Sequence, residues 1–333
     1  MLFTKKCKQR FKKGVFPSLF VFIWVVLLSF YIYKSLYIIL PSTSSELFFF
    51  STETNDDFKY ILCKELNKAN NSIFLSSFGL QDENIKQIIE QKAASGVAVT
   101  ISYDTKQPIS IKENSGILLI PHNKTGLMHR KIISIDNELV FLGSFNLTLF
   151  SLEIHRNMAV AIRSAHILES IMKDEQFTSP LFQYIPLPKY KKEGLKKITD
   201  TIDNTLKRVY VAIYAITHKS IIEALITAKK RGVDVRIYVD NSMANGVCKK
   251  YISKFIDNDL IVKTNVGDGL LHHKCILADN NFILGSANFT SAAFSKNKEY
   301  IILFQPLDKV NLSKIENFFN NLNKSCTIKL TKK

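Results

Sequence analysis

The chain has 333 residues, 46% of them hydrophobic, and carries a formal charge of +16. That length leaves room for two lobes, and that hydrophobic share points to a globular body joined to a membrane segment. Five cysteines (Cys7, Cys63, Cys248, Cys275 and Cys326) form no CxxC pair and no metal-ligand spacing, so the sequence implies neither a zinc site nor a cofactor. Residues 1–40 hold seven Lys/Arg and no acid, which leaves the remainder at about +9. A basic body suits anionic partners, whether phospholipid surfaces or nucleic acid, without choosing between them.

In chain order, residues 1–13 form a basic tail, and Val15 to Tyr33 is a nearly unbroken apolar run. Nineteen residues at about 1.5 Å each nearly match a bilayer core. Six basic residues precede the run, which predicts a transmembrane anchor over 14–40 with its amino terminus cytoplasmic and the body on the far side. Lys34-Ser35-Leu36-Tyr37 offers no small-x-small cleavage site, so the run reads as an uncleaved signal anchor, the alternatives being a cleaved signal peptide and a reversed anchor. Residues 41–55 read as a stalk.

A repeat follows. Ser72 opens an apolar strand, Asp82–Ser95 patterns as an amphipathic helix with Ile85, Ile88 and Ile89 on one face, and Gly96 ends it. A second strand from Val97 finishes at Asp104. The later copy runs Val209–Ile216, Ser220–Arg231, Gly232 and Val233–Asp240, with Gly96 to Gly232 and Asp104 to Asp240 both 136 residues apart. The pattern predicts an α/β fold of two lobes with mixed sheets, over 56–178 and 199–333, joined by a Pro- and Lys-rich linker at 179–198.

Each lobe carries one motif. The first reads His129-Arg130-Lys131, Asp136, then Gly143-Ser144-Phe145-Asn146. The second reads His272-His273-Lys274, Asp279, then Gly285-Ser286-Ala287-Asn288. His129 to His272 spans 143 residues, so the second lobe has about seven extra residues before its motif. Residues two apart on a strand share a face, so one imidazole and one ammonium emerge together. A turn at Asp136-Asn137-Glu138 or Asp279-Asn280-Asn281 brings the asparagine back beside them, the second hairpin being one residue tighter. His122, His155 and His218 lie outside the motifs and read as ordinary polar residues, and Asp104 and Asp240 as structural strand ends.

A phosphodiester at a metal-free site needs a nucleophile, an acid for the leaving alcohol, and positive charge on the non-bridging oxygens. Two histidines can supply the first two. Lys131, Lys274, Asn146 and Asn288 can hold the oxygens, and Ser144 and Ser286 can bond the same group or the strand. Gly143 and Gly285 allow close backbone approach.

In these residues the chain resembles the phospholipase D superfamily, over roughly 56–325. The resemblance implies two pseudo-symmetric α-β-α sandwich lobes with one site at their interface, and metal-independent transesterification through phosphohistidine. It carries over to His129, Lys131, Asn146, His272, Lys274 and Asn288 as site residues, and to Asp136 and Asp279 as motif aspartates expected to be structural. An acid that orients a motif histidine is matched by Glu299, whereas the aligned residue in the first lobe is Asn157. The two histidines are therefore expected to differ, with His129 as nucleophile and His272 as acid. The anchor favours a phospholipid substrate, cleaved or transferred. A membrane-anchored nuclease and a catalytically silent anionic-lipid binder are the alternatives, and no obligate protein partner is evident.

Overall fold

The computed structural model describes residues 15–36, 40–43, 46–107, 109, 111, 116–326 and 328–329. The expected basic tail at 1–13 lies outside the described residues. The chain divides into two compact units, residues 1–40 and 41–333.

Among its described residues the first unit contains one helix, α1 (Val15–Leu36). From Leu19 to Phe30 its large apolar side chains are exposed. Among the described residues no helix is long and apolar enough to cross a membrane, so the fold does not establish the expected span.

The second unit holds two repeats. The first comprises β1 (Leu47–Ser51), α2 (Phe58–Lys68), β2 (Ser72–Ser77), α3 (Glu83–Ala94), β3 (Ala98–Asp104), β4 (Leu118–His122), β5 (Ile132–Ile135), β6 (Leu139–Gly143), α4 (Leu149–Glu153), β7 (Met158–Arg163) and α5 (Ala165–Lys173). After β8 (Phe177–Thr178) the second comprises β9 (Phe182–Leu187), α6 (Lys191–Asp203), β10 (Arg208–Ile213), α7 (Lys219–Lys230), β11 (Asp234–Val239), α8 (Asn241–Asn245), α9 (Lys249–Asp257), β12 (Ile261–Thr264), β13 (Lys274–Ala278), β14 (Asn281–Gly285), α10 (Ser291–Ser295), β15 (Glu299–Phe304), α11 (Lys309–Ser325) and β16 (Ile328–Lys329). One sheet runs β1-β7-β6-β5-β2-β3-β4. The other contains the same order, β9-β15-β14-β13-β10-β11-β12, and adds β8 and β16 at its edges. Strands β2 and β3, like β10 and β11, pair in parallel across an intervening helix, and the motif hairpins pair antiparallel.

Two expectations need correction. Residues 47–51 of the expected stalk form β1, antiparallel to β7, with Phe49 and Phe50 buried on opposite faces. The expected linker contains β9, antiparallel to β15, and the start of α6. Phe182, Tyr184, Ile185 and Leu187 are buried there, and this apolar run outweighs the prolines and lysines around it. The seven extra residues of the second repeat fall in the segment that forms α8 and α9.

The core between the sheets joins both repeats: Phe49 meets Phe282 and Phe304 edge-on, and Ile315, Phe318, Phe319 and Leu322 of α11 pack into the same layer. A second core covers the outer face of the larger sheet beneath α6, α7 and α9. Glycines at 96 and 232 take φ near +90°, as helix-ending positions require.

Candidate active site

The two motif histidines lie just before β5 and β13, each held by the other repeat. The His129 amide donates to Lys298 O (3.0 Å), and the His272 amide donates to Arg156 O (2.9 Å). Asp104 and Asp240 accept from the amides of Met128 (2.7 Å) and Leu271 (3.0 Å), the residues before each histidine. Their role is structural, as the strand-end reading implied.

Each imidazole is also oriented from the opposite repeat. His129 Nδ1 lies 2.7 Å from Glu299 Oε1, and Ser286 Oγ donates to Glu299 Oε2 (2.6 Å). His272 Nδ1 lies 3.1 Å from Asn157 Oδ1, to which Ser144 Oγ donates (2.8 Å), while Asn157 Nδ2 donates to Ser151 O (2.8 Å). Both serines are therefore committed to the residue that orients a histidine, which corrects their reading as phosphate ligands. An added Cβ on Gly143 or Gly285 would collide with the carbonyl of Met158 or Tyr300, so each glycine permits the close strand approach that seats its serine.

Lys131 and Lys274 are buried and fold back onto the carbonyls of His129 (2.6 Å) and His272 (2.7 Å). Burial pulls Lys131 down to about 7, partly opposed by Glu299. Burial, then the nearby charge of Lys131, holds Lys274 well below its ordinary value. His129 is lowered by burial and by Lys131, with Glu299 acting against this. His272 has no carboxylate, and burial together with Lys274 and Lys131 depresses it well below the ordinary histidine value. The two imidazoles thus share a cationic site but differ in basicity.

Asn146 and Asn288 follow their serines, and each has a buried side-chain carbonyl oxygen with no hydrogen-bond partner among the described residues. Such an atom costs about 1–3 kcal/mol, and turning each amide over aims its Nδ2 donor at a phosphate oxygen. Thr148 and Thr290 cap α4 and α10 immediately beyond, so each G-S-x-N-x-T run ends in a helix start.

Asp136 and Asp279 belong elsewhere. Each carboxylate accepts three backbone amides, from Asn70, Asn71 and Ser72 and from Leu206, Lys207 and Arg208 respectively. They tie the hairpin turn to the start of the neighbouring strand, at the end of the motif strand away from the histidines. They are therefore not catalytic groups: each lies seven residues from its motif histidine, about 23 Å along an extended chain. The second hairpin is indeed tighter, pairing Ala278 with Asn281 where the first pairs Ile135 with Leu139.

Three residues escaped the sequence reading. Phe78 and Tyr214, 136 apart, flank the site with edge contacts to His129 (5.5 Å) and His272 (5.2 Å) and lie 5.9 and 5.4 Å from Lys131 Nζ and Lys274 Nζ. Their shared place after β2 and β10 was the available signal. Tyr300, fully buried, accepts from Gly143 N (2.6 Å) and reaches Lys131 O (2.8 Å), and nothing in the repeat marks it, since Met158 is its counterpart. His155 also comes near, with its ring centroid 6.4 Å from that of His272. Among the described residues no group of three or more His, Cys, Asp or Glu could hold a metal ion.

Paired lobes, cross-braced histidines and two buried lysines define a phosphodiesterase-type site built from two halves. The family described as "Cardiolipin synthase, PLD-like domain" matches residues 62–177 and 198–323, and the chain belongs to it, within the phospholipase D superfamily. Its members include phosphodiesterases, phosphatidyltransferases and nucleases. The chain is 33% identical over 130 residues to a phospholipase D of Rickettsia felis, a match that covers 38% of this chain and 62% of that protein. It is 23% identical over 293 residues to a minor cardiolipin synthase of Bacillus subtilis, covering 72% of each. Among solved structures, a phosphatidylserine synthase from Haemophilus influenzae superposes with a TM-score of 0.68 at 13% identity, over 86% of this chain and 88% of that one, a likeness of fold.

Proposed function

We propose that the protein cleaves or transfers the phosphatidyl group of phospholipids through a phosphohistidine on His129. The supporting observation is the unequal bracing of the histidines, a carboxylate on His129 and an amide on His272. With Nδ1–H donated to Glu299, the Nε2 lone pair of His129 attacks phosphorus, and the carboxylate stabilises the charge that grows on the ring. As the N–P bond forms, the P–O bond to the leaving alcohol breaks and His272 Nε2–H protonates that oxygen. Burial, then the lysine charges, depress His272, and the negative charge of the bound phosphodiester opposes both, favouring the protonated ring in the complex. Lys131, Lys274, Asn146 and Asn288 stabilise the non-bridging oxygens. Water or a second alcohol then gives its proton to His272 and attacks phosphorus, breaking the N–P bond and freeing His129.

In this reading Val15–Leu36 anchors the enzyme in a membrane, with residues 1–13 cytoplasmic and the body on the far side. Its partners are a phospholipid membrane and the phosphodiester it supplies. The basic body suits nucleic acid as well as lipid, and cleavage of single-stranded nucleic acid is the second reading.

The test is activity in EDTA on phospholipid vesicles and single-stranded DNA in parallel, with His129→Ala as control. Phosphatidic acid or a transphosphatidylation product, absent with the variant, is the expected result. DNA cleavage with untouched lipid moves the assignment to a nuclease, and lipid binding without turnover moves it to a binding protein. Trapping of phosphate on His272 reverses the two histidine roles.

A further inference from the structure

The two repeats differ at the rim of the site. After the Thr148 cap, α4 presents Leu149 (48% exposed) and Phe150 (61%), and Ile154 (47%) follows it. At the equivalent positions after the Thr290 cap, the second repeat has Ser291, Ala292 and Lys296, all exposed. The apolar rim lies beside His272: the Phe150 ring is 6.4 Å from His155, and His155 is 6.4 Å from His272. Gly269 lies so close to Ile154 that a Cβ there would collide with its carbonyl, and the same loop carries Val266, 50% exposed. The polar rim lies beside His129, since Asn297 Oδ1 accepts from Leu127 N (3.1 Å) and Lys298 O from His129 N.

Four exposed apolar side chains on one rim, faced by a polar and cationic counterpart across a phosphate-binding site, fit one partner. We propose that Leu149, Phe150, Ile154 and Val266 form a lip that enters the acyl region of an anionic phospholipid bilayer. The opposite rim stays at headgroup level, where Lys296 meets lipid phosphates. A lipid surface offers apolar and anionic layers at adjacent depths, and the rims are arranged in that order around the histidines. Water-soluble diesters have no use for the apolar half, and the bases of a nucleic acid stack on an aromatic ring such as Phe150 but gain nothing from three aliphatic chains. The inference rests on the phosphatidyl reading above and adds the part of the substrate that is recognised.

The experiment compares the full chain with the double variant Phe150→Ala/Ile154→Lys, which places the residues of the second repeat at those two positions. Val310→Ser, a change at a residue 80% exposed in the first turn of α11, is the control. Turnover is measured on dioleoyl-phosphatidylglycerol in mixed micelles and on monomeric dibutyryl-phosphatidylglycerol, which has the same headgroup without long chains. The expected result is a fall of about tenfold or more in the long-chain to short-chain ratio for the double variant, and none for Val310→Ser. An unchanged ratio overturns the lip while leaving the phosphatidyl reading standing. No turnover of either lipid by the parent chain, with cleavage of single-stranded DNA, overturns that reading and the lip with it.

Discussion

Glu299 Oε1 lies 2.7 Å from Nδ1 of His129, a residue of the other repeat, so the proposed nucleophile is aligned across the interface. The carboxylate fixes the tautomer with Nε2 free and favours the charged ring. Glu299→Gln keeps the shape but removes the charge. We expect kcat to fall about 10²-fold, or roughly 2.7 kcal/mol of barrier. Burst kinetics should show the loss in phosphoenzyme formation, before the second step. A variant that forms phosphoenzyme at the parent rate would exclude this role for Glu299.

Lys131 gives the site an alkaline limit. Burial brings its ammonium down to about 7, and only the protonated form holds a non-bridging oxygen. The free enzyme therefore loses this charge as pH rises through 7, and kcat/KM, which reports the free enzyme, should decline there. Lys131→Arg keeps its charge throughout this range. Its activity will be lower because the fork does not fit the buried ammonium position, but its alkaline limb should move up by more than one pH unit. A limb that stays in place would assign the titration to another group.

The motifs were legible because chemistry fixes residue types there: His, Lys, Ser, Asn and Gly recur at offsets of 142 and 143. The asymmetry of Glu299 and Asn157 could be read for the same reason, by aligning one half on the other. Strands β1 and β9 were not legible. The first was masked by a polar stretch beside the apolar helix, the second by Pro186 and Pro188, and their pairing partners lie over 100 residues away. Exposure was equally hidden. Phe150 and Phe145 look alike in sequence, yet one is exposed and the other buried against Phe58.

Tyr300 couples folding to the site. Its buried hydroxyl accepts from Gly143 N and reaches the carbonyls of Lys131 (2.8 Å) and Gly143 (3.0 Å), so it joins β15 to the motif hairpin of the other repeat. Tyr300→Phe leaves a buried amide unpaired at nearly unchanged volume. We expect a loss of about 1–3 kcal/mol in urea unfolding together with a lower kcat, because the displaced hairpin carries Lys131. An unfolding midpoint equal to that of the parent would show that the hydroxyl does not brace the interface.

The pair of Glu53 and His273 predicts sensitivity to acid. Glu53 Oε2 lies 2.9 Å from His273 Nε2, both side chains are buried, and Ser51 Oγ donates to the same carboxylate oxygen at 2.7 Å. Burial alone would raise this carboxyl, but the charge and hydrogen bond of His273, with the Ser51 hydroxyl, hold it at about 2 against an ordinary 4.5. A carboxyl lowered by folding stabilises the native state above its unfolded value, and that stability is lost as pH falls through the folded value. The window is therefore pH 4.5 to 2, and the amount is on the order of 3 kcal/mol. Glu53→Gln should be less stable than the parent at pH 6 and should lose less on acidification across that window. Urea midpoints taken at half-unit pH steps measure both effects. Parallel curves for the two proteins would show that the acid sensitivity lies in other carboxylates.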